Sequence, residues 1–228
     1  MKKDRRQMSE RFRLGALLAV AGGFLDAYTY LVRGGVFANA QTGNIVLLGL
    51  RLTERDLAGA LHYLIPILAF AAGVVAAELV RARFGGAQRL HWRQITVAGE
   101  LLLLLGVAAL PGTLDGLANV LVSFVCAVQV ESFRKFNGNA FATTMCTGNL
   151  RSGTERLFLY WKTGERDHRT RAVQYYGIIL CFVAGAALGA GCAGRWGRPS
   201  VLAVCVLLLA AFLMMLQPKT LAVEGKGV

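Results

Sequence analysis

Six apolar stretches, near residues 14–32, 60–80, 94–111, 118–133, 172–193 and 200–217, carry almost no charge. Each is long enough to cross a hydrocarbon core of roughly 30 Å as a helix. A soluble domain of this length would show half-buried amphipathic patterns instead. With 55% hydrophobic residues and a mean hydropathy of +0.51, the chain reads as an all-α integral membrane protein whose surroundings are the lipid bilayer.

A net charge of +12 would ordinarily suggest a nucleic-acid partner. The distribution argues against one, because the basic residues sit in short loops between apolar runs, where they set orientation. Two shorter pieces, near residues 36–50 and 139–150, are too short or too polar to be comfortable spans. If both are re-entrant half-helices, there are six spans and both termini are cytoplasmic. All 25 Lys and Arg residues except Arg33, Arg51, Arg55, Arg195 and Arg198 then lie on the cytoplasmic side. If both pieces cross, the wholly basic loop of Arg81, Arg83, Arg89 and Arg93 falls outside. The six-span arrangement is preferred. Lys2, Lys3, Arg5 and Arg6 precede the first apolar run, and Ala38-Asn39-Ala40 looks like a signal-peptidase site. The run is long and contains Asp26, so it reads as a retained helix.

The chain also repeats itself. Thr42-Gly43-Asn44 recurs as Thr147-Gly148-Asn149, and at the same offset Asp26 falls on Glu131, Tyr28 on Phe133 and Leu52 on Leu157. Farther along, Phe70-x-x-Gly73 matches Phe182-x-x-Gly185 after an insertion around Gly164 to Arg171. This predicts a basic N-terminus over residues 1–13, repeats over 14–113 and 114–217, and a cytoplasmic tail over 218–228. Three spans per repeat would make the second inverted relative to the first. Small residues at four-residue spacing (Ala69, Gly73 and Ala77; Gly185 and Gly189) allow helix backbones to approach closely. Internal packing is the first reading of these stripes, a homodimer seam the second.

Asp26 and Glu131 are the acids that matter most. A carboxylate in the membrane faces a cavity, a partner or a proton path, so both are candidates for proton or ion coupling. The structural alternative pairs Asp26 with Arg33 and Glu131 with Arg134. Glu78 and Glu100 fall near predicted helix ends, where they are expected to snorkel or pair. Thr and Asn are capping residues and Gly admits unusual backbone geometry. Two short helices starting at the Thr-Gly-Asn copies would therefore aim free N–H groups at a solute between the repeats. The candidate substrate-binding residues are Thr42, Gly43, Asn44, Thr147, Gly148 and Asn149, with Asn39 and Gln41 beside the first copy and Thr143, Thr144 and Cys146 beside the second. No nucleophile elbow, zinc-helix or phosphate-loop motif is present in the sequence. The five cysteines and three histidines lack metal-ligand spacing. No enzyme activity, cofactor or metal is expected.

Gly22-Gly23-Phe24-Leu25-Asp26-Ala27, Gly34-Gly35-Val36-Phe37 and Gln41-Thr42-Gly43-Asn44-Ile45-Val46-Leu47-Leu48-Gly49 resemble the bacterial YoaK family, whose domain is of unknown function. Asn139-Ala140-x-x-Thr143-Thr144-x-x-Thr147-Gly148-Asn149 resembles that family's second copy. The resemblance covers nearly the whole chain and implies a bacterial inner-membrane protein of about six spans. It supplies no substrate. Glu131 departs from Asp26 at the equivalent position, which leaves open whether the two acids share a task. The reading reached is a small secondary transporter or channel for a small polar or anionic solute, with a proton-linked variant. The alternative is a non-transporting scaffold or partner subunit that uses the basic stretch 151–171.

Overall fold

The computed structural model describes residues 12–85, 92–133 and 146–216; Arg134, Thr143 and Thr144 lie outside them. The described residues form eight α-helices and no strand: α1 (Phe12–Val32), α2 (Gln41–Thr53), α3 (Leu57–Phe84), α4 (Trp92–Ala109), α5 (Asp115–Ser132), α6 (Cys146–Thr163), α7 (Arg166–Trp196) and α8 (Leu202–Leu216). Short 3₁₀ turns lead into α5 and α8. Six helical stretches, built on α1, α3, α4, α5, α7 and α8, are long and apolar enough to cross a membrane. Helix α2 has 13 residues and at 1.5 Å per residue spans about 20 Å, short of a bilayer core. Helix α6 is longer, but Arg151, Glu155, Arg156 and Lys162 leave it too polar.

Side-chain contacts fix the direction of each helix. Arg33, just past the end of α1, reaches the Val107 and Leu110 carbonyls at the end of α4 and Asp115 at the start of α5. His62, early in α3, lies 2.9 Å from the Gly34 carbonyl, and Arg198, between α7 and α8, holds Asp115 from the other side. Helices α1, α4 and α7 therefore end at the Arg33 side, and α3, α5 and α8 begin there. At the opposite side the Gln94 amide donates to the Met215 carbonyl at 3.0 Å, joining the start of α4 to the end of α8.

Two seams dominate the packing, α1 on α7 and α3 on α5. Both are made by glycine. A Cβ on Gly185 would collide with the Val20 carbonyl, and one on Gly189 would meet Phe24, so α1 and α7 run parallel in backbone contact. A Cβ on Gly73 would collide with the Phe124 carbonyl across the α3–α5 seam. In lipid there is little hydrophobic drive between helices, and such close approach supplies the dispersion contacts that replace it. The small-residue stripes are internal seams.

The remaining contacts are paired in the same way. Helix α2 packs on α3 and α6 on α7, while α4 packs on α5 and α8 on α1. Exchanging α1–α4 for α5–α8 in order reproduces this list.

Two sequence expectations change. Helix α2 begins and ends a few residues later than the piece near 36–50, and α6 continues to Thr163, past the piece near 139–150. The stretch 151–171 is not a free cytoplasmic link but the body of α6 and the first turns of α7, broken at Gly164, whose φ is +73°. Its polarity concealed a packed face. Arg151, Glu155 and Lys162 are exposed, while Gly153 is buried against Tyr175, where a Cβ would lie 3.1 Å from that residue's own.

Candidate functional site at the two half-helix starts

The chain leaves α1 through Gly34 and Gly35, with φ of 90° and 80°. Glycine adopts this left-handed geometry without steric penalty, and the chain turns back along α1 instead of leaving the bundle. Asn39 marks how far it returns. Its backbone N–H donates to the Asp26 carboxylate at 2.6 Å, and its side-chain amide donates to the Gly22 carbonyl at 3.1 Å. Gly22 is ten residues before the end of α1, a descent of about 15 Å. Helix α2 thus starts halfway down α1 and climbs back to the Arg33 side. It is a re-entrant half-helix.

Asn44 holds that loop shut. Its Oδ1 accepts the Phe37 N–H at 2.9 Å, and its Nδ2 donates to the Phe37 carbonyl at 2.7 Å and to Gln41 Oε1 at 2.9 Å. The residue is fully buried. The Phe37 ring stacks on Tyr30 with centroids 4.8 Å apart, and a Cβ on Gly43 would come within 2.8 Å of it. Ala40, not Thr42 or Asn44, occupies the cap position of α2, and it makes no side-chain cap bond.

The second copy opens α6, with Cys146 as the first residue of the helix. Helix α6 runs antiparallel to α7: Thr154 meets the Tyr176 hydroxyl at 2.9 Å, and Arg156 lies 3.3 Å from His168. Exposure follows the same order in both copies. Thr42 and Thr147 are exposed, whereas Asn44 and Asn149 are buried.

Both starts border one cleft of about 970 Å³. Asp26 and Tyr30 of α1, Asn39 of the loop, Gln41 and Thr42 of α2, and Cys146, Thr147 and Gly148 of α6 line it. Phe70 of α3 and Phe182 of α7, a pair matched by the repeat, line it as well. Of the sequence-predicted residues, Asp26, Asn39, Gln41, Thr42, Thr147 and Gly148 therefore come together. Gly43, Asn44, Asn149 and Glu131 are not among its lining residues, and Thr144 lies outside the described ones.

The family profile described as "Protein of unknown function (DUF1275)" matches residues 14–215. The chain belongs to this family. A curated relative, the "UPF0700 transmembrane protein YoaK" of Bacillus subtilis (strain 168), is 30% identical over 189 residues, covering 77% of this chain and 81% of the relative. No solved structure matches. This DUF1275 protein is a multi-pass membrane protein, as its six apolar helical stretches and its transmembrane relative both indicate.

Two acids are placed otherwise than their sequence positions suggested. Arg33 does not serve Asp26. It is fully buried, ion-pairs with Asp115 at 2.7 Å and donates to the Tyr28 hydroxyl at 2.8 Å. Asp115 is preferred because it opens α5, where the helix dipole favours a negative charge. Glu100 is not near a helix end. It stands at the middle of α4, 2% exposed, and neither carboxyl oxygen has a hydrogen-bond partner among the described residues. Glu78, by contrast, pairs with Arg81 at 3.0 Å as expected. The signal for Glu100 lay in the span boundaries: with α4 starting at Trp92, the ninth residue of 18 is central.

Proposed function

We propose that this chain is a small secondary transporter or channel for a small polar or anionic solute held in the cleft between α2 and α6. One observation carries the reading. Two half-helices from distant parts of the chain present the threonine of the same tripeptide to one cavity, beside a buried acid. Helix N-termini offer N–H groups and the positive end of a dipole to a solute. Ligand pockets commonly hold about 300–1,000 Å³, and this cleft falls in that range. Discontinuous helices meeting at a repeat interface are the usual site architecture of inverted-repeat transporters. Each helix here runs opposite to its counterpart in the other half (α1 to α5, α2 to α6, α3 to α7, α4 to α8), which supports an inverted relation. Asp26 is suited to carry a proton or tune the field at the cleft floor. The family resemblance points to a bacterial inner membrane, and there the positive-inside rule favours both termini in the cytoplasm.

The test is thermal unfolding of the detergent-purified chain against small anions, organic acids, nucleobases and amino acids across pH. A solute that binds only the folded form at 100 times its Kd adds about 2.7 kcal/mol. The expected result is a shift that Thr42→Val and Thr147→Val each reduce. Thr42 and Thr147 face the cleft and are the residues to change; Asn44 would confound the test by unfastening the loop. A melting temperature indifferent to every solute would overturn the reading.

A further inference from the structure

A second cavity, of about 230 Å³, lies between α3, α4 and α5, away from the cleft. Its walls are Ala76, Ala77 and Val80 of α3, Ile95, Gly99 and Leu103 of α4, and Phe124, Val125 and Val128 of α5, with Thr96 and Glu100 as the polar members. Thr96 is occupied by the Arg93 carbonyl at 2.9 Å. Among the described residues that line it, Glu100 alone is titratable. Both its oxygens are buried, without a hydrogen bond from any described residue.

A carboxylate in such surroundings is far costlier than its neutral acid, and a buried group without a partner neutralises. The charged groups around it among the described residues have partners of their own. At this level α3 carries Glu78 and Arg81, bonded to each other at 3.0 Å. On α5 are Cys126 and Glu131; on α8 is Cys205; α4 itself adds Arg93, whose Nε donates to the Ser132 carbonyl at 2.8 Å. Arg198, in the turn before α8, is taken by Asp115. A metal ion would need several oxygen ligands that these walls lack, and an organic cation would need carboxyl oxygens within its reach. A proton needs neither.

We propose that Glu100 is a proton-binding site: a carboxyl held neutral inside the bundle, which exchanges its proton when the α3–α4–α5 cavity admits water. Glu100 borders this cavity and Asp26 the larger cleft, so the two acids stand at different cavities. That the proton moves with a solute rests on the transport reading; that Glu100 holds an exchangeable proton does not.

The experiment is an infrared pH titration of the full chain in lipid, as a difference between wild type and Glu100→Gln. The expected spectrum shows a neutral carboxylic-acid C=O band at neutral pH that shifts in heavy water and is lost as the pH is raised. Carboxylate bands in its place at neutral pH would overturn the proposal, as would an acid band that never shifts in heavy water. If Glu100→Gln does not fold, the difference is taken against Glu100→Asp, which keeps a carboxyl in the bundle and displaces the Glu100 band instead of removing it. A failed solute panel with this band present removes the transport reading alone, and a solute shift without the band removes this proposal alone.

Discussion

The first turns of α2 and α6 share a tripeptide and a cleft but are built to different tolerances. Around α2 the polar side chains of the approach are tied to nearby groups: Asn44 to Phe37, Gln41 to the Ala38 carbonyl, and Asn39, through its backbone N–H and its amide nitrogen, to Asp26 and Gly22. Gly43 is pressed against the Phe37 ring, whereas a Cβ on Gly148 would meet nothing within 4 Å. Among the described residues Asn44 closes the first loop as a latch, and at Gly148 of the second copy an added Cβ would stand in open space.

The largest effect should come from what the halves share. Gly73→Leu and Gly185→Leu each drive a side chain into a facing backbone carbonyl, so both should abolish recovery of monodisperse protein by size-exclusion chromatography. Survival of one alone would break the equivalence of the two seams. Next, Asn44→Ala strips partners from the Phe37 N–H and carbonyl, and unsatisfied buried groups cost about 1–3 kcal/mol each. A clear drop in melting temperature is expected, and an unchanged one would show that the latch carries no weight. Gly43→Ala should lose about 1–3 kcal/mol by overpacking, while Gly148→Ala should melt with the wild type; equal melting curves would erase the contrast. The smallest effect separates the roles in binding. Thr42→Val and Thr147→Val each remove one exposed hydroxyl, about 1 kcal/mol of a net hydrogen bond, and should weaken the bound solute several-fold with little change in stability. Loss from only one of them would place the solute on one half-helix.

Much of the fold was legible in the sequence because the bilayer makes it so. Length and hydropathy located the six spans to within a few residues of their ends, and low hydropathy set α2 and α6 apart. Gly73 and Gly185 were legible too, since small residues at four-residue spacing have few uses in a helix other than close packing. The partners of the acids were not. Arg33 is nearer to Asp26 in sequence than to Asp115, yet the reversal at Gly34 and Gly35 sends the returning backbone to Asp26 and leaves the guanidinium for α5. Glu100 has no counterpart in the second half, so the repeat gave no reason to single it out. The polar stretch 151–163 looked like a link because composition does not reveal which side of a helix is covered.

By itself, then, the sequence determined class, span number and some of the residues that border the cleft, because burial in lipid selects by local composition and period. The tertiary structure alone decided how deep the loop returns, that Asn44 fastens while Thr42 faces outward, which arginine meets which acid, and that Glu100 stands alone in the interior. The arginine–acid pairing and the setting of Glu100 depend on contacts between residues far apart in the chain, and the loop's return and its fastening depend on contacts across a reversal; local pattern carries no information about either.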